Sequence, residues 1–303
     1  MRRVIVGLTS AIAVAVALTG CGGTQDAQPA PAKATVASGP LTDAELLRIS
    51  DAQQRLIWRC MKGKGFRYWE AERLSLEESR TLGYVTDDVD WAREHGYGSR
   101  IQAKEERARS DNPNAAYRAT LSEKHRKAYD KALDDGVDAP VIAVKLPTGG
   151  TVRKQVGGCV AEAERRLYGD PETWFRAEKT VSSLQPLYVP QLMADQQFAQ
   201  ALTAWSQCMG RAGHPYKDPG EARRAGLQAA LKSTSAETFE AERAIAVADA
   251  VCTRETSLRS LGNERETHYV NLLRDRYGKA LDTYAQLQRE ALARAVEIAG
   301  PRA

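Results

Sequence analysis

The chain has 303 residues, with 43 Lys and Arg against 39 Asp and Glu. That length allows one large or two small domains with a real core, and no basic tail or stripe is present to suggest nucleic acid. Aromatic residues make up only 7% of the sequence while Ala, Arg, Glu and Leu are abundant, which favours helices.

Residues 1–20 have the pattern of an export signal. Arg2 and Arg3 give a positive start, and Val4 to Leu18 is apolar apart from small residues, too short to span a membrane as a mature helix. The segment ends in Leu18-Thr19-Gly20-Cys21, which resembles the lipobox of bacterial lipoproteins. The expected product begins at Cys21 and carries lipid on that cysteine, with the membrane as its first partner. Its address is then the outer face of the cytoplasmic membrane. Removing Arg2 and Arg3 lowers the 43 basic residues to 41 against 39 acidic ones, so the mature chain is nearly neutral.

Residues 21–40 are rich in small residues and proline without an apolar period, as in a disordered tether. Order is expected from Thr42, which forms a capping box with Glu45 ahead of Leu46, Ile49, Leu56, Ile57, Cys60 and Met61 at helical spacing. Gly63 and Gly65 end that helix. Short helices and loops follow from Glu70 to Gly98, then a surface helix from about Arg100 to Ser110. A second surface helix from Asn114 carries Tyr117, Leu121, Tyr129 and Leu133. Val141–Leu146 and Thr151–Val156 flank Pro147-Thr148-Gly149-Gly150, which predicts a β-hairpin near 141–156. A helix with Cys159 near its start runs to about Tyr168-Gly169-Asp170-Pro171.

The remainder is expected to be helical. One helix runs from Val189 or Pro190 to Met209, with Leu192, Phe198, Leu202 and Trp205 on one side. Thr234 and Glu237 form a second capping box before a stripe of Ala241, Ala244, Ile245, Ala248, Val251 and Cys252. A single last helix extends from about Asn263 to Ala299, with Gly278 as a candidate bend.

Four cysteines remain beyond Cys21, and an even number in an oxidising compartment predicts two disulfides with three possible connectivities. Cys-Met-x-x-x-Gly-x-x-Tyr occurs twice, at Cys60 with Gly65 and Tyr68 and at Cys208 with Gly213 and Tyr216. The next cysteine after each has a Glu three residues on, Glu162 after Cys159 and Glu255 after Cys252. That internal likeness selects Cys60–Cys159 and Cys208–Cys252. The fold class expected is a mainly α, disulfide-stapled domain with two pseudo-repeated helical units, 41–185 and 186–303, and the hairpin inserted in the first.

The lipobox, Trp58 with Cys60-Met61, Ala92 to Gly98 and Ala128 to Leu133 together resemble uncharacterised actinobacterial (Streptomyces-type) lipoproteins, as does Leu146 to Thr151 ahead of Gly158-Cys159. The resemblance covers most of the mature chain and implies no activity.

No catalytic motif is present. His95, His125, His214 and His268 are isolated, without HExxH or CxxC, so no metal and no cofactor is expected. Neither G-x-S-x-G nor S-x-x-K occurs. Asp87, Asp88 and Asp90 lack the spacing of a calcium loop and are expected to form a solvated turn. His95, Tyr97, Tyr68 and Tyr216 are exposed candidates for a ligand groove, because aromatic residues in Gly-rich loops beside stapled helix ends can hold a peptide or glycan. The function expected is a non-enzymatic binding or scaffold domain of the cell envelope with an envelope protein or cell-wall ligand as partner. The alternative is an extracytoplasmic hydrolase of cell-wall material built from scattered carboxylates and His95.

Overall fold

The computed structural model describes residues 39–71, 74–80, 82–232 and 236–299. The signal peptide, Cys21, the tether up to residue 38 and Thr234 of the second capping box lie outside the described residues. Among the described residues no helix is long and apolar enough to cross a membrane.

The first helix, α1 (Asp43–Gly63), starts as its sequence dictates. The Thr42 backbone N–H donates to Glu45 Oε2 at 2.7 Å, and the Glu45 N–H donates to Thr42 Oγ1 at 3.3 Å. Its buried stripe is Ile49, Ala52, Leu56, Ile57 and Met61. The helix closes with the Phe66 N–H donating to the Met61 carbonyl at 3.0 Å, while Gly65 takes a φ of 84° that L side chains resist. The second Cys-Met segment ends its helix in the same way: the His214 N–H donates to the Met209 carbonyl at 2.8 Å, and Gly213 has φ 83°. Both glycines are thus required by the cap.

Next come α2 (Val89–His95), α3 (Ser99–Ser110), α4 (Pro113–Thr120) and α5 (Glu123–Asp134). The single helix expected from Asn114 is therefore two. Leu121 turns extended, with ψ 144°, and the Ser122 hydroxyl restarts the chain by accepting from the His125 N–H at 3.4 Å. The first of the pair, α4, buries no residue and lies on the surface as expected, whereas α5 reaches the core through Tyr129, which is 1% exposed and meets Phe66 and Tyr117 edge-on. The hairpin forms as expected from β1 (Val141–Lys145) and β2 (Thr151–Gln155), antiparallel, with Val144 opposite Val152.

Then follow α6 (Gly158–Tyr168), α7 (Pro171–Ser182), α8 (Gln185–Ala194) and α9 (Gln196–Arg211). Asp170-Pro171 both ends α6 and begins α7, with the Asp170 carboxylate accepting from the Thr173 N–H at 2.8 Å. The helix expected from Val189 to Met209 is divided by Asp195, whose carboxylate accepts from the Gln197 and Phe198 N–H groups, and Pro190 falls inside α8.

The last four helices are α10 (Pro219–Lys232), α11 (Ala236–Glu255), α12 (Leu258–Leu272) and α13 (Arg274–Ala299). The expected single final helix breaks at Leu273, and Gly278 falls inside the second of the two helices. That break is where the chain changes partners, because α12 packs on α8 and α9 whereas α13 packs on α1, α6 and α7.

The chain from Pro40 onward is one compact unit with two cores. One is built around Trp205, Phe198, Met209 and Leu258, the other around Met61, Leu56, Tyr129 and Leu167. They do not divide between residues 185 and 186. Val89, Ala92 and Tyr97 from the first half lie in the Trp205 core, while Ala291 and Ala295 of α13 lie in the Met61 core. The two halves are closed by exchanging one segment each.

Both disulfides join the expected partners, Cys60–Cys159 and Cys208–Cys252, each with 5.6 Å between Cα atoms. Each fastens the C-terminal end of a helix, α1 or α9, to a second helix that carries the next cysteine. Closing loops of 99 and 44 residues restricts the unfolded chain by about 4 to 5 kcal/mol each in the chain-entropy model, before native strain is subtracted.

Candidate functional site

A groove of about 880 Å³ lies between the hairpin, α7 and α13. Its apolar floor comes from Val144, Leu146, Pro147, Ala177, Tyr277 and Ala280. Around it stand Lys145, Arg176, Arg276 and Lys279 against Asp170 and Glu172. Both acids are engaged. Asp170 caps α7, where hydrogen bonds from the Thr173 hydroxyl and N–H hold its carboxyl below the usual range, and Glu172 pairs with Arg176 at 2.6 Å. Lys145, Arg276 and Lys279 form no ion pair among the described residues, though the Arg276 guanidinium lies over the Tyr277 ring with 5.2 Å to its centroid, and among those residues the buried Tyr277 hydroxyl has no hydrogen-bond partner. No His, Cys or Ser lines the groove, so it offers three cations outside ion pairs, threonine hydroxyls and apolar surface but no acid–base pair.

The residues around Tyr97 do different work. Tyr97 is 1% exposed and therefore not part of any groove wall. Its hydroxyl donates to Asp249 Oδ2 at 3.0 Å, and the Trp205 indole N–H donates to Asp249 Oδ1, also at 3.0 Å. Thr253 adds a third donor at 3.3 Å. Burial pushes the Asp249 carboxyl up to about 6 in spite of these bonds, and burial beside Asp249 also raises Tyr97. One α11 turn pair away, the fully buried Glu242 accepts from the backbone N–H groups of Tyr97 at 2.8 Å and Ser99 at 3.2 Å. Gly98, which begins α3, has no side chain to cap that helix, and Glu242 supplies the carboxylate from across the core. This explains Gly96, the glycine before Tyr97, while Gly98 is required by its own φ of 90°. A Cβ on Gly96 would stand 2.8 Å from Glu242 Oε1, at a φ of 60°. Gly226 of α10 is likewise tight, where a Cβ would meet the Tyr97 ring at 2.7 Å.

The expected α11 stripe was therefore rotated. Ala241 and Ala244 are exposed, whereas Glu242, Ile245, Ala246, Asp249, Ala250, Cys252 and Thr253 are buried. A stripe drawn only through apolar letters could not include two acids. Their separation of one heptad, on the same face as Ile245 and Cys252, was the signal available in the sequence.

The four groove candidates are not gathered in one place. Tyr216 packs half-buried against the Trp205 core and Tyr68 against the Met61 core. Tyr68 also lines a second cleft of about 780 Å³ with Trp69 and Lys104. His95, at the C-terminal end of α2, instead meets two carboxylates: its Nε2 lies 3.7 Å from Glu77 Oε1 and 3.9 Å from Glu94 Oε1. Those three ligand-type atoms fall within 4.8 Å of one another. His95 was isolated in sequence terms, and Glu77 reaches it only through the fold. The three aspartates expected in a solvated turn are committed elsewhere, Asp87 to Arg259, Asp88 to Arg80 and the α2 N-terminus, and Asp90, in the first turn of α2, to Arg93. Comparison of the chain with protein-family models, curated proteins and solved structures finds no match.

Proposed function

We propose that this chain is an extracytoplasmic lipoprotein, anchored through lipid on Cys21 at the outer face of the cytoplasmic membrane, whose folded body is a non-enzymatic binding domain for cell-wall material. The observation that carries the binding role is the groove between the hairpin, α7 and α13, with Lys145, Arg276 and Lys279 outside any ion pair among the described residues beside an apolar floor and no acid–base pair. Wall peptides bear free carboxylates, which such cations attract. Two disulfides in one small body support an oxidising compartment. The likeness of the two Cys-Met caps supports a duplicated origin for the stapled elements.

Co-sedimentation with insoluble peptidoglycan tests the reading. The chain is expected to pellet with the wall and to release no soluble fragments, and Lys145→Ala/Arg276→Ala/Lys279→Ala is expected to stay in the supernatant. Equal pelleting of both proteins, or of neither, contradicts the groove. Release of wall fragments favours the second reading, a hydrolase, for which the meeting of His95 with Glu77 and Glu94 is the supporting observation.

A further inference from the structure

We infer that Glu77, Glu94 and His95 form a binding site for one divalent transition-metal ion of the zinc class, apart from the groove. The donor set is one imidazole nitrogen and two carboxylate oxygens. Imidazole favours zinc, copper, nickel or iron over calcium and magnesium, and three protein ligands leave a position open.

The three side chains are held by well-bonded backbone. Glu94 and His95 are adjacent at the end of α2, where the Gly98 N–H donates to the His95 carbonyl at 2.8 Å and Glu242 holds the backbone N–H of Tyr97, two residues on. Glu77 sits in a turn locked by Ser75 and Glu78, whose side chains each accept from the other's backbone N–H, at 2.9 and 3.1 Å. The turn is fastened to α2 by the Trp91 indole N–H, which donates to the Glu77 carbonyl at 3.3 Å. Trp91 also lies against the His95 ring, with centroids 5.0 Å apart. The same short helix thus supplies two ligands and the anchor that brings the third.

His95 carries the argument beyond a pair of acids. Its side chain is only 16% exposed, and its Nε2 is buried with no hydrogen-bond partner, facing both carboxylates. Bonds of about 2.0–2.1 Å to zinc place tetrahedral ligand atoms about 3.3 Å apart. Closing 3.7 and 3.9 Å to that distance takes only side-chain rotation of Glu77 and Glu94, which are 52% and 67% exposed. The neighbouring Glu78 is not available, being paired with Lys104 at 2.9 Å. The remaining cysteines do not compete, because Cys60, Cys159, Cys208 and Cys252 are joined in disulfides.

The test is a zinc titration of the chain carrying Cys21→Ser, which removes its free thiol, followed by calorimetry and by NMR of the four imidazoles. One equivalent of Zn²⁺ is expected to bind with a micromolar Kd and to shift the His95 resonances alone. His95→Gln is expected to weaken binding about a hundredfold, and Glu77→Gln or Glu94→Gln about tenfold each. The two glutamate variants alter exposed side chains, so they remain informative if His95→Gln fails to fold. No saturable binding up to about 1 mM Zn²⁺, unchanged affinity in the glutamate variants, or shifts at His125, His214 or His268 instead of His95 would overturn the inference.

Discussion

Replacing Asp249 by Asn should remove a specific dependence of stability on pH. In the native protein the Asp249 carboxyl is raised from 3.8 to about 6, chiefly by burial. At pH 4 to 6 the folded state therefore holds a proton that the unfolded chain has released, so stability falls as pH rises through this window and levels off above it. At 1.36 kcal/mol per unit, the span from 3.8 to about 6 amounts to about 3 kcal/mol. Asn keeps an acceptor for the Trp205 indole and a donor that Tyr97 can accept, and it has no charge to titrate. Urea unfolding followed by tryptophan fluorescence from pH 4 to 7 measures the difference. Stability of the parent protein relative to Asp249→Asn should fall by about 3 kcal/mol across that range. Asp88, Asp130, Asp170 and Asp195 do not mask the effect. Hydrogen bonds to backbone or side chains lower their carboxyls, so the stability they contribute is present above the ordinary range and lost only as pH falls below about 4. Parallel pH profiles for the two proteins would refute the reasoning, because Asp249 would then not be titrating in a dry site.

Asp249→Ala should cost more than the Asn variant, about 3 to 5 kcal/mol in urea unfolding, because it strands the Tyr97 hydroxyl and the Trp205 N–H; a loss under 1 kcal/mol, roughly one ordinary hydrogen bond, counts against the network. Glu242→Ala, which uncaps α3 and leaves two backbone N–H groups unpaired, is expected to lower stability by about 2 to 4 kcal/mol and to speed hydrogen exchange at Tyr97 and Ser99. Gly96→Ala should be destabilising by about 2 kcal/mol or more in the same assay, through positive φ and the approach of Glu242. Non-reducing peptide mapping should recover Cys60 with Cys159 and Cys208 with Cys252, and any fragment joining Cys60 to Cys208 contradicts the staples.

Much of the framework was legible because it follows local rules. The Thr42–Glu45 box, the Gly149-Gly150 turn and the paired Cys-Met caps each depend on residues a few positions apart, and all appear in the structure. Helix divisions made by a single polar residue were harder. Ser122 and Asp195 interrupt runs whose apolar spacing continues through them, and only their caps reveal the break. Least legible was whatever depended on distant chain. The exchange of α2 and α13 between the cores leaves no periodic trace, since an amphipathic stripe states that a face is buried but not against what. The site residues divide in the same manner. His95 and Tyr97 stand out in the sequence as aromatic groups in a glycine-rich loop, yet Gly96 serves the close approach of Glu242, 145 residues from Tyr97. The groove cations come from a hairpin and two helices far apart in sequence, and no motif could gather them.

The proposed address, on which the binding role rests, is tested most directly by mass spectrometry of the N-terminal peptide of the protein extracted from its native membranes. A chain beginning at Cys21, with its mass increased by a thioether-linked diacylglyceryl group, is the predicted result. A chain that retains Met1, or one whose Cys21 thiol is unmodified, would contradict it.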